Sequence, residues 1–196
     1  MKSLLWSIFF AFATIFAFNA CLTKPDFPFE PSISFASLSK KSILDGNNQL
    51  IEDSIFLTIN FRDGNGDIGL TSADTLGRFA FRNPDKTLNP FYYNFYCDIY
   101  RRNRFTGEYE RVRFPKNRDP ILGIDVESNI HGRVPPLLDN ARQGPIEGTL
   151  RYNIGGLFYD VLGINRRDSI RFEIFIYDRA LNQSNVITTP AILVNE

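Results

Sequence analysis

Only two cysteines and one histidine occur in 196 residues, and 22 basic side chains are balanced by 22 acidic ones. Each scarcity excludes something. A Ser/His/Asp or Cys/His constellation would depend on His131 alone, and His131 sits in NIHGRVPP, a loop by composition, where a surface histidine is the plainer reading. Zinc is disfavoured for the same reason, because one histidine and one cysteine bound for the core cannot complete four ligands. Zero net charge offers nucleic acid no bulk attraction, and loss of Lys2 with a leader would change it by about one unit. Ala and Leu are modest, whereas 19 Phe, 8 Tyr, 11 Pro and 13 Gly favour strands and turns over helices.

What is present begins with an address. Lys2 precedes an apolar run from Leu4 to Phe18, and the small residue Ala20 stands before Cys21, which is the layout of a secretory signal peptide. The run of about 15 residues is shorter than the roughly 20 that span a bilayer, so residues 1–20 are expected to be removed. Next, LTKPDFPFEP spaces Pro25, Pro28 and Pro31 by three. That spacing predicts an extended tether over residues 21–31, rising about 3 Å per residue and lying outside the fold. Residues 32–196 are then one domain, long enough to bury a core.

Period-two alternation carries the fold reading. In SIFLTINFR, Ile55, Leu57, Ile59 and Phe61 share one face; in SIRFEIFIYD, Ile170, Phe172, Ile174 and Ile176 do the same. Cys97 alternates with Phe95 and Ile99 and is expected to be a small buried hydrophobe. Further strands are expected near 33–38, 93–102, 108–114, 121–126, 148–154 and 186–194. About seven to nine short strands with turn signals between them predict an all-β, antiparallel sandwich with little helix.

The leader also carries a resemblance. Ala20 followed by Cys21 is similar to the lipobox of bacterial lipoproteins, although Phe18 stands where Leu is typical and Asn19 where a smaller residue is typical. The alternative is a plain secretory peptide that leaves Cys21 free. The lipoprotein resemblance, of the Bacteroidetes type, implies that Cys21 becomes an acylated first residue and that the chain is anchored in the bacterial cell envelope, at the outer membrane. Two or three acyl chains suffice for a stable anchor, since each buried methylene contributes roughly 0.8 kcal/mol. With Cys21 lipidated only Cys97 remains, and no disulfide forms within the chain.

Two strand segments match each other at one constant offset. Asp53, Ser54, Ile55, Ile59 and Asp63 correspond to Asp168, Ser169, Ile170, Ile174 and Asp178, with Asp67 against Asn182. The ending Asp178, Asn182, Ser184 resembles the strand-and-turn of bacterial immunoglobulin-like and fibronectin type III-like domains. The resemblance implies that these are the second and sixth strands of such a sandwich, whose exit loops share one end.

The first exit loop, FRDGNGDIGL, admits several readings. Gly64, Gly66 and Gly69 satisfy G-x-G-x-x-G, but LTSADTLGRFAF shows no helical period to receive a phosphate, and Asp67 would repel one. Asp63, Asn65 and Asp67 form D-x-N-x-D, the oxygen-rich pattern a hard cation such as calcium requires. The loop resembles those of EF-hands and dockerin repeats, except that Ile68 replaces their turn glycine and no helices flank it. Asp74, at the twelfth position, or Asp178 would close the site. The plainer alternative is a turn in which Asp and Asn bond the backbone and Gly supplies positive φ.

Two surface candidates complete the reading. Phe91, Tyr92, Tyr93 and Tyr96 are available to stack on sugar rings or on a protein, unless core and edge packing absorbs them. Arg101, Arg102 and Arg104 open a basic hairpin that is either a solvated face with Glu108 and Glu110 as partners or a patch for anionic glycan or lipid phosphate. Two functions remain: a lipid-anchored envelope binding or accessory module of the immunoglobulin-like kind, or an envelope enzyme acting on glycans with paired carboxylates. A filled sandwich with surface grooves favours the first. A cleft holding two carboxylates of raised pKa favours the second.

Overall fold

A computed structural model describes residues 25–194 except 45, 48–49, 120–122, 124, 139–143, 158, 160 and 166. The leader and Cys21 lie outside the described residues. The described residues form ten strands: β1 (Ser32–Leu44), β2 (Leu50–Asp63), β3 (Phe95–Arg102), β4 (Tyr109–Arg111), β5 (Lys116–Arg118), β6 (Asp125–Glu127), β7 (Ile146–Leu157), β8 (Ser169–Ile176), β9 (Ile187–Thr188) and β10 (Ile192–Leu193). The only helical element among the described residues is a 3-10 turn, Gly77–Phe79.

The strands form an antiparallel β-sandwich. One sheet has the order β1-β2-β7; the other has β10-β8-β3-β4, with β9 also on β8; β5 and β6 make a separate hairpin. Pairing is antiparallel throughout. The two main sheets carry the neighbour relations of an immunoglobulin-like sandwich, in which the second strand lies between the first and fifth, and the sixth between the third and seventh. β2 and β8 are those second and sixth strands. They therefore lie in opposite sheets and run their carboxyl ends to the same end of the molecule.

Alternation explains why. On β2, Ile55, Leu57, Ile59 and Phe61 face inward, and on β8 the inward set is Ile170, Phe172, Ile174 and Ile176; all join one core with Phe95, Cys97 and Ile99 of β3. Burying each such side chain contributes roughly 1.5–3 kcal/mol. The sheets meet where Phe95 stacks on Tyr152 of β7 at 4.2 Å between ring centroids.

The strand count exceeds the seven to nine expected because the last strand is interrupted. β9 and β10 lie along the same edge of β8, with Ile187 opposite Ile174 and Ile192 opposite Ile170. Pro190, which has no N–H, breaks the ladder between them. Thr189 bridges the gap: its N–H donates to Phe172 O at 2.9 Å, and its Oγ1 accepts from Phe172 N at 3.0 Å.

The tether is not wholly outside the fold. Gly64 N donates to Pro28 O at 2.9 Å, and the Phe27 ring lies under the Arg62 guanidinium at 5.5 Å. A Cβ at Gly64 would sit 2.2 Å from Phe27 O, so only glycine admits this approach.

Candidate metal centre and aromatic groove

β2 delivers Asp63 as its last residue, and β8 delivers Asp178 two residues beyond its end. Asp63 is 0% exposed and Asp178 2%. Half-buried Asp67 joins them, and one carboxylate oxygen from each of the three lies within 4.8 Å of the others. The backbone fixes the arrangement. Asp67 N donates to Asp63 Oδ2 at 2.9 Å, Ile68 forms a β-bridge with Asp178, and Arg179 N donates to Asp67 O at 3.2 Å. Asn182 braces Asp178, donating from its backbone N to Oδ1 at 2.8 Å and from Nδ2 to Oδ2 at 2.7 Å. Gly66 turns the loop at φ 73°, a conformation glycine adopts without strain. Three oxygens are left over: Asp63 Oδ1, Asn65 Oδ1 and Asp67 Oδ1 are buried without a hydrogen-bond partner.

Electrostatics registers the crowding. Burial, then the charges of Asp67 and Asp178, pushes the Asp63 carboxyl up to about 6. Burial and then Asp178 raise Asp67, and burial raises Asp178. Arg179, whose charge acts on Asp67, is already engaged: it grips Asp74 through Nη1–Oδ2 at 2.7 Å and Nη2–Oδ1 at 2.9 Å. Arg179, with Thr71 donating from N and Oγ1, holds Asp74 well below the usual carboxylate range. Asp74 is thus engaged outside the cluster, and Asp178 is the third carboxylate within it.

The surface candidates separate in space. Phe91 and Tyr92 precede β3 and lie near the acidic end, Phe91 packing edge-on against Tyr177 at 5.1 Å. Arg101 and Arg102 close β3, Arg104 follows it, and eight strand residues set the two ends roughly 25 Å apart. The arginines are structural there. Arg101 donates to Gly163 O, Arg102 Nε to Gly107 O at 3.1 Å, and Arg104 Nε to Asp168 Oδ1 at 2.8 Å. Sequence reasoning had no signal for the carbonyl partners of Arg101 and Arg102, which come from turns.

A groove of about 640 Å³ opens between the connection 64–94 and the β5–β6 hairpin. Phe81, Tyr92, Tyr93, Tyr96 and His131 supply its aromatic surface, and Asn117, Glu127 and Asn129 line the other side. The rings brace one another. Tyr92 meets Phe81 at 4.8 Å and Tyr93 at 4.9 Å, while Tyr96 packs between His131 at 4.5 Å and Phe175 at 4.7 Å. His131 is half-buried rather than free on the surface: its Nδ1 accepts Cys97 N at 3.2 Å, and burial lowers its pKa. Three cations around the groove have carboxylate partners, Arg82 with Asp119, Arg111 with Asp98 and Arg118 with Asp125, while Arg133 lies over the Tyr92 ring at 4.9 Å and donates to backbone carbonyls. Cys97 itself is buried, with its thiol pKa pushed up.

Compared with known proteins, the chain matches no family model, no curated protein and no solved structure.

Proposed function

We propose that the chain is a lipid-anchored binding module of the bacterial envelope whose aromatic groove holds a neutral glycan. The groove is the observation that carries this reading. Tyr92 and Tyr93 offer ring surface to the C–H face of a sugar, Tyr96 braces Tyr93, and Asn117 and Asn129 offer hydroxyl partners beside them. Ion pairing of Arg82, Arg111 and Arg118 leaves Arg133, over the Tyr92 ring, as the cation there without a carboxylate partner among the described residues, which favours a ligand of little net charge. The leader and Cys21 supply the anchor. Glycan hydrolysis has less support, because the acids of raised pKa, Asp63, Asp67 and Asp178, line no part of the groove, and Asp63 and Asp178 are buried.

Affinity electrophoresis of the full chain through gels containing glucan, xylan, mannan or galactan tests the groove. Retardation by at least one neutral polysaccharide, reduced about tenfold or more by Tyr92→Ala, is expected, since stacking terms of this kind run to about 1.5 kcal/mol before lost area. Equal mobility in every gel, or retardation unchanged by Tyr92→Ala, overturns the reading. The anchor has its own check: Cys21→Ser should move the chain from the detergent phase to the aqueous phase.

A further inference from the structure

We infer that Asp63, Asn65, Asp67 and Asp178 form a calcium site that clamps the connection after β2 to the turn after β8. The inference deepens the binding-module reading, because the clamped connection goes on to supply Phe81, Tyr92 and Tyr93 to the groove.

Two independent observations support the site. Three carboxylates converge, each with an oxygen within 4.8 Å of the others. Separately, the fully buried Asp63 has an oxygen without a partner, and so do Asn65 and Asp67. Buried polar atoms in native proteins are nearly all paired, so three unpaired oxygens in five residues call for a common partner. Protons do not meet the need. One proton shared between two of these acceptor oxygens leaves the third without a partner. Arg179 is committed to Asp74. A cation satisfies all three oxygens at once and relieves the repulsion among the carboxylates.

The donor set selects the ion. All ligands are oxygens, which suits a hard cation and leaves zinc without nitrogen or sulfur. Calcium bonds oxygen at about 2.3–2.6 Å, so ligand oxygens on opposite sides of the ion stand up to about 5 Å apart, which accommodates the observed spread. Magnesium, at about 2.0–2.1 Å, requires a tighter and octahedral shell.

Calorimetry of the full chain in detergent, with calcium chloride, magnesium chloride or chelator, decides the matter. Calcium at a hundredfold excess over its dissociation constant should raise the unfolding midpoint by roughly 5–10 °C for a chain of this size. Magnesium should do less. Asp63→Asn with Asp67→Asn should abolish the shift while leaving the midpoint in chelator at or above that of the parent, because the substitutions remove repulsion. That second expectation separates loss of a site from loss of the fold. An unchanged midpoint up to about 10 mM calcium, or a shift that survives the double substitution, overturns the site; the concentration limit is that of the weakest extracellular calcium modules with a tenfold margin. Gel retardation by glycan, measured with and without chelator, reports separately on the groove, so either reading can fail alone.

Discussion

At the residue scale, Asp63 makes stability depend on pH in a way most carboxylates do not. Its ordinary pKa of 3.8 applies to the unfolded chain, and in the fold it rises to about 6. Without metal, the folded chain therefore binds more protons between those values. The stability this contributes is complete below about pH 4 and is lost as pH rises through about 6. Asp67 and Asp178 act in the same direction. Asp74, held low by Arg179, acts in the opposite direction, but its contribution changes mainly below about pH 4, where the unfolded carboxyl takes up its proton. His131, lowered by burial, pulls the other way, so the informative comparison is against Asp63→Asn with Asp67→Asn, which keeps His131. In chelator, the parent should lose more stability than that variant between pH 4.5 and 7, and the midpoint gain from calcium should be larger at pH 7 than at pH 5; these two pH values bracket the Asp63 titration. Parallel pH profiles for the two proteins would remove Asp63 as the source.

At the element scale, what the sequence disclosed and what it withheld divide along physical lines. β2 and β8 were legible because a strand with one buried face must alternate, and Ile55, Leu57, Ile59, Ile170, Phe172 and Ile174 do so without interruption. The convergence of Asp63 and Asp178 was legible too, since strands in the second and sixth positions exit at one end. The partition between Asp74 and Asp178 was not. Spacing along a loop suggested Asp74, but Arg179 lies one residue past Asp178 and captures it. The groove left still less trace, because Phe81, Asn117 and His131 come from three connections with no shared period. β2 also has a buried acid at its other end. Asp53, 0% exposed, accepts from Tyr159 Oη at 2.7 Å and from Ser42 Oγ at 2.5 Å, with Lys40 at 3.6 Å. Tyr159→Phe removes one donor from a buried carboxylate and should lower unfolding free energy by about 1.5–3 kcal/mol in denaturant titration. A loss within about 0.5 kcal/mol, the range of an ordinary surface change, would mean that Ser42 and Lys40 suffice.

At the scale of the whole molecule, the tether, the acidic cluster and the turn after β8 all gather at one end of the sandwich. β1 starts there, with Ser32 opposite Arg62, and Asn185 ties the same end across the fold, its Oδ1 accepting from Ile33 N at 2.8 Å and its Nδ2 donating to Ile33 O at 3.0 Å. Gly64 connects the tether to the 63–67 loop directly, because its N–H donates to Pro28 O and it directly follows Asp63. An ion that fixes the 63–67 loop thereby fixes the surface on which residues 27–28 rest, and a lipid-anchored domain would gain a stiffer joint when calcium is bound. Phe29, 68% exposed, gives that joint a readout, since chymotrypsin cleaves after it only when the local chain can open. Calcium should slow cleavage after Phe29 in the full chain. Gly64→Ala places a Cβ 2.2 Å from Phe27 O and should speed that cleavage with or without calcium, while the calcium-induced rise in midpoint persists. Cleavage at equal rates in all four conditions would show that the tether and the loop move independently.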